Sequence, residues 1–357
     1  MSDTQRIRYI DAWRFIAVSM VIVSHAIYSI CLRFLVETEA IVLRVSHFGN
    51  LGVLIFFFIS GFVICRGLME ERAARSSVSL KAFYVRRAFR ILPPLWLYLA
   101  TLALLAGLGV EGITPVHIGK SALFLCNMSL LGGCGWFAGH TWSLAYEEQF
   151  YLFFPLLFVV FGLIVRPKIL LVMQLLMVLA FIGLRTVGLY GLAEYLNYMI
   201  LMLTGCAAAL YWHRLSGVCR GLSVSSWLTA LIVLIACVGW LPSPMELYIR
   251  MVLYPPLIGL LVLGTPVSHP RVRAFFQNPL AAYLGKISYT VYLWQQLATG
   301  QYPTLSLWWT LIFIVGVWLF AHFSYQYFER PLIGLATRWS NAIKQRALAG
   351  RATGFAQ

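Results

Sequence analysis

Apolar residues in this chain recur in uninterrupted runs of roughly 20, the length an α-helix needs to cross a bilayer. Ten such runs stand out, at about 9–31, 49–67, 91–109, 142–165, 168–187, 195–212, 226–241, 248–265, 282–299 and 306–327. The pattern predicts an all-α, polytopic membrane protein of about ten transmembrane helices. Pro242, Pro244, Pro255 and Pro256 interrupt the seventh and eighth runs. The stretch 119–131 is apolar but short, which suits an interfacial or re-entrant segment. The first run is too long for a signal-peptide core and lacks a small-residue cleavage pattern, so no signal peptide is expected.

Composition agrees. Of 357 residues, 61% are hydrophobic, 15% aromatic and only 11% charged, with a mean hydropathy of +0.82. A soluble domain carries about 25% charged residues. Soluble enzymes, secreted disulfide scaffolds and disordered tails are therefore excluded. The seven Cys show no CxxC spacing, and the His no HxxxH, so no metal site is expected.

A net charge of +15 would suggest nucleic acid in a soluble protein. Here its distribution gives another reason. With the N-terminus inside, twenty Lys and Arg fall in inner segments and four (Arg33, Arg44, Lys120 and Arg185) in outer ones. Cationic loops stay on the cytoplasmic side, so both termini are expected in the cytoplasm and the partners are membrane lipids, not nucleic acid. One transmembrane domain over 1–332 precedes a basic cytoplasmic tail, 333–357, read as a membrane-surface or frayed end. No internal repeat appears, which counts against transporters built from repeated halves.

Ionisable residues inside a span mark candidate sites, because burying charge in hydrocarbon is costly. The first span, IDAWRFIAVSMVIVSHAIY, carries Asp11, Arg14 and His25. Eleven residues are three turns plus about 20°, so Arg14 and His25 share a face about 16 Å apart, with Asp11 within about 40° of it. Two readings stand: a functional polar stripe, or an Asp11–Arg14 pair beside a structural His. The fourth span opens HTWSLAYEEQFYLFFP, which puts Glu147 and Glu148 about 8–9 Å below the outer surface and near the depth of His25. A carboxylate meeting an imidazole suits general-base chemistry; two glutamates capping a helix end is the plainer alternative. Arg86, Arg87 and Arg90 in FYVRRAFRILPP sit where the third span begins. Arg87 and Arg90, at i and i+3, can clasp a phosphate-bearing ligand or serve only as a positive-inside anchor. Ser60 and Gly61 suit close helix packing. Glu329 pairs with the arginine cluster or caps its own helix. Cys126 and Cys134 lie in an outer loop where a disulfide can form, and Asn127-Met128-Ser129 matches a glycosylation sequon.

Taken together, IDAWRFIAVSMVIVSH, FFFISGFVI, FYVRRAFRILPPLW, HTWSLAYEEQFYLFFPLL, LGKISYTVYLW and YFERPL resemble acyltransferase family three, the integral-membrane sugar O-acyltransferases. They occur in that family's order over nearly the whole chain. The resemblance implies transfer of an acyl group, usually acetyl from cytoplasmic acetyl-CoA, to a hydroxyl of a saccharide such as exopolysaccharide, O-antigen or a lipid-linked oligosaccharide, in the cytoplasmic (inner) membrane. It implies a donor substrate and no permanently bound cofactor. His25 would be catalytic, with Glu147, Glu148 and Asp11 in support, and Arg14 with Arg86, Arg87 and Arg90 would form the donor path. The length resembles stand-alone members rather than those with a fused extracytoplasmic domain. One departure is evident: many relatives carry a His after the YLW of the ninth span, where this chain has Gln295. A small-molecule acceptor such as a macrolide, or a transporter or flippase using the same stripe, are the rival expectations.

Overall fold

The computed structural model describes residues 3–34, 39–128, 131–163, 166–220, 223–240, 251–265, 270–300 and 307–354. Among them every regular element is helical. In chain order these are α1 (Asp3–Phe34), α2 (Glu39–Arg75), α3 (Leu80–Gly107), α4 (Pro115–Ala122), α5 (Gly135–Gly139), α6 (Thr141–Val160), α7 (Lys168–Thr186), α8 (Tyr190–Leu210), α9 (Trp212–Arg220), α10 (Val224–Trp240), α11 (Tyr254–Gly264), α12 (Pro270–Phe276), α13 (Pro279–Lys286), α14 (Ser288–Ala298) and α15 (Leu307–Ser324). A π-helical turn, Tyr325–Glu329, carries α15 directly into α16 (Arg330–Gly354).

Among the described residues, helices lie in all ten predicted runs, and six are long and apolar enough to cross a membrane by length and composition: Arg8–Ile30, Val45–Arg75, Leu80–Gly107, Lys168–Thr186, Tyr190–Leu210 and Trp308–Arg346. The others fall short for identifiable reasons. The first half of α6 holds Glu147, Glu148 and Gln149. Helices α10 and α11 have 17 and 11 residues. The ninth run is split at Ile287 into α13 and α14. Pro255 and Pro256 begin α11 rather than interrupt it, since the first-turn N–H groups have no helical acceptor to lose. Pro242 and Pro244 lie outside the described residues, as does Ser129 of the sequon.

The chain packs as two compact units. The first comprises residues 1–67 and 161–314. In it α1 packs along α13 and α14, α7 along α8, and α10 along α11. The crossing of α2 and α8 needs glycine on both sides. A Cβ on Gly61 of α2 would lie 1.9 Å from the Met202 carbonyl oxygen of α8, and one on Gly205 would lie 2.1 Å from that of Phe58. Gly61 thus has the packing role expected of it, with backbones in direct contact. Helix α14 is buried nearly all round, including Ser288, Thr290, Gln295 and Gln296.

The second unit comprises residues 68–160 and 315–357. Here α3 packs on α16, α4 and α6. Tyr84 donates to the Leu152 carbonyl at 2.7 Å and Tyr98 to that of Phe137 at 2.5 Å, so α3 and α6 run antiparallel. Of the apolar stretch 119–131, residues 119–128 form the end of α4 and a turn folded back on α6. Ser121 meets Thr141 at 3.0 Å, and Cys126 and Cys134 are joined by a disulfide. Asn127 and Gln149 exchange two hydrogen bonds, at 2.8 and 3.2 Å. The Asn127 amide is thereby engaged within the fold rather than offered as a glycan acceptor. Residues 330–354, most of the basic tail, form helix α16, which packs on α3 with Phe89 and Trp339 edge to face at 5.2 Å.

Candidate functional site

Helix α1 is unbroken from Asp3 to Phe34, so its polar residues keep the helical spacing expected of them. Asp11 is buried at a backbone crossing: a Cβ on Gly285 of α13 would lie 1.7 Å from the Asp11 carbonyl oxygen. Two residues on, Trp13 donates from Nε1 to Thr265 at 2.9 Å and packs, tilted, on Phe276 of α12 with ring centroids 4.8 Å apart. These contacts hold the start of α1 against α12 and α13. Arg14 lies over the Phe56 ring of α2, 6.0 Å from its centroid.

Three turns further along, His25 is half-buried, and its Nδ1 hydrogen-bonds the side-chain oxygen of Gln295 at 2.9 Å. Where the sequence suggested a carboxylate to orient the imidazole, an amide holds Nδ1. Gln295 is itself 1% exposed, and its Nε2 donates to Gln296 at 2.9 Å. Thr299, one turn along, donates to the Gln295 backbone carbonyl at 2.9 Å. An unpaired amide here would cost about 1–3 kcal/mol, so these bonds hold Gln295 in one orientation. Gln296 and Thr299 escaped the sequence reading, although paired glutamines in so apolar a run are a visible signal.

In the second unit, Arg87 of α3 lies over the Tyr151 ring of α6, 4.5 Å from its centroid, and 5.9 Å from that of Phe83. It is also close enough to Glu148 for the two charges to interact. The sequence reading put Glu148 near the outer surface and Arg87 at the opposite end of its own span. Antiparallel register brings them level instead, because Tyr84 and Leu152 pair one turn away from each. Glu148 Oε1 is buried without a hydrogen-bond partner. A carboxylate in that state beside a guanidinium can accept a proton or a ligand donor.

Arg86, one residue earlier, turns about 100° away. It donates to Glu71 Oε2 at 3.2 Å and to Ser340 of α16. Glu71 also accepts from the Ser79 backbone at 3.0 Å and from Lys344 at 2.6 Å. Its side chain is 7% exposed and that of Lys344 11%. This group ties the end of α2, the start of α3 and the final helix together. Arg86 therefore braces α3 against α2 and α16. Glu329 lies buried in the π-turn and accepts from Ser324 at 3.1 Å. Among the described residues no group of three or more His, Cys, Asp or Glu could hold a metal.

Long apolar helices, with a half-buried His held by a buried glutamine pair, define a membrane protein with polar side chains among its helices. The acyltransferase domain family matches residues 7–337, and the chain belongs to that family. It is 27% identical over 320 residues to peptidoglycan O-acetyltransferase OatA of Listeria monocytogenes, covering 80% of this chain and 51% of that protein. A Staphylococcus aureus (strain COL) protein named as a candidate O-acetyltransferase is 26% identical over 79% of this chain and 52% of its own length. A Bacillus subtilis (strain 168) protein named as a candidate peptidoglycan O-acetyltransferase is 24% identical over 80% and 50%. The chain thus spans about half the length of these relatives. No solved structure matches it.

Proposed function

We propose that this protein is a membrane-embedded O-acyltransferase that moves an acetyl group from cytoplasmic acetyl-CoA to a hydroxyl of a cell-envelope saccharide. The observation that carries the reading is the family match over 7–337, which takes in the Arg14–His25 stripe and the Arg87–Glu148 pair. Relatives named for peptidoglycan O-acetylation favour a saccharide over a small-molecule acceptor. The reading includes ten spans, both termini in the cytoplasm and residence in the inner membrane. The charge asymmetry supports that orientation, as does a disulfide in the loop assigned to the oxidising side.

In this mechanism Arg87 and Arg90 bind the donor's phosphates and Arg14 stands at the mouth of the α1 stripe, while Arg86 braces the helix that carries the pair. The roughly 16 Å between Arg14 and His25 along α1 suits the reach of a pantetheine arm. His25 takes the acceptor's hydroxyl proton as its oxygen attacks the thioester carbonyl carbon. The C–S bond then breaks, and the CoA thiolate recovers the proton from the imidazolium. Acyl transfer through His25 itself uses the same groups in two steps; burst kinetics separate the two.

The test uses purified protein in nanodiscs with radiolabelled acetyl-CoA and lipid-linked or polymeric saccharide. Label is expected in the saccharide with wild type and lost with His25→Ala in protein that remains folded. Transfer that survives the substitution removes His25 from the mechanism.

A further inference from the structure

We infer that Gln295 is a positioning residue that sets the tautomer of His25, holding the proton on Nδ1 and leaving the Nε2 lone pair as the reactive one. This rests on the reading of His25 as base or acyl carrier.

The argument is one of hydrogen-bond capacity. A neutral imidazole has one N–H and one lone pair, and the partner of one nitrogen decides which it is. His25 Nδ1 faces Gln295 Oε1 at 2.9 Å. An amide oxygen only accepts, so Nδ1 must donate. Gln295 presents oxygen because its Nε2 is used in the bond to Gln296 Oε1 at 2.9 Å. Rotation of the side chain is resisted by burial, with Gln295 and Gln296 1% and 3% exposed and Thr299 fully buried.

Helix α14 therefore presents an oriented acceptor to α1 across 270 residues of sequence. Both mechanistic routes then require Nε2, either to take the hydroxyl proton or to carry the acyl group. A neutral amide does this without adding a second charge to an apolar surrounding, where an unscreened carboxylate would be costly.

The decisive measurement is the 15N spectrum of His25 in mildly alkaline buffer, assigned by its loss in His25→Asn. Coupling of the protonated nitrogen to Hε1 but not Hδ2 is expected, which marks Nδ1–H. A proton on Nε2 in the wild type overturns the inference. Gln295→Met, which keeps the volume but removes the acceptor, is expected to lose the Nδ1–H preference. It should slow acetyl transfer by about 10²-fold with the KM for acetyl-CoA unchanged. Gln295→Glu, which retains an acceptor oxygen for Nδ1 but not the donor to Gln296, should keep the Nδ1–H preference and more of the rate than Gln295→Met. Full turnover by Gln295→Met also overturns the proposal. An Nδ1–H spectrum in protein that transfers no acetyl group bears out the role of Gln295 and removes the acyltransferase reading.

Discussion

Lys344 donates to Glu71 at 2.6 Å, joining residues 273 apart in sequence. The contact converts a basic tail into a structural member. Glu71 receives Lys344, Arg86 and the Ser79 N–H together, so its carboxylate joins α16 to the turn between α2 and α3.

Glu71→Gln should therefore loosen α16. Hydrogen bonds to charged groups contribute about 1.5–3 kcal/mol each, so the apparent Tm in detergent should fall. A double-mutant cycle with Lys344→Met should show coupling. Additive losses would mean that the two side chains do not interact in solution.

Adjacent arginines should behave differently. Arg86→Ala is expected to lower stability with little change in the KM for acetyl-CoA, since its partners are Glu71 and Ser340. Arg87→Ala should raise that KM. Arg87→Lys should recover only part of the loss, because lysine lacks the planar stacking over Tyr151, a contact of about 0.5–2 kcal/mol. Equal effects at both positions would erase the division of labour.

Cys126 and Cys134 should resist maleimide labelling until the protein is reduced and unfolded, while intact mass shows two hydrogens missing. Closing so short a loop contributes about 2–3 kcal/mol, and the double Ser variant should lose about that much stability.

Gly285→Ala should be poorly tolerated. Its methyl group would meet the Asp11 carbonyl oxygen, a backbone atom that cannot swing away. Overpacking of this kind costs about 1–3 kcal/mol or more, and displacement of α1 should also lower acetyl transfer. An unchanged Tm and rate would show that α1 and α13 stand further apart than described.

Sequence alone determined the helical class, the place of nearly every helix and the stripe on α1. Hydrocarbon length and helical period are local properties, readable from residues a few turns apart. Family membership was legible for a related reason, since its motifs are short and ordered along the chain. Only the tertiary structure decided which distant side chains meet. Arg86, Arg87 and Arg90 look alike in sequence, yet a rotation of about 100° per residue sends Arg86 to Glu71 and Arg87 to Tyr151. Gln295 stood out in sequence as a departure from relatives, but its bond to His25 depends on how α14 packs on α1. Hydrogen bonds and charge pairs act over a few ångströms, so when their partners lie hundreds of residues apart, only the packed fold can specify them.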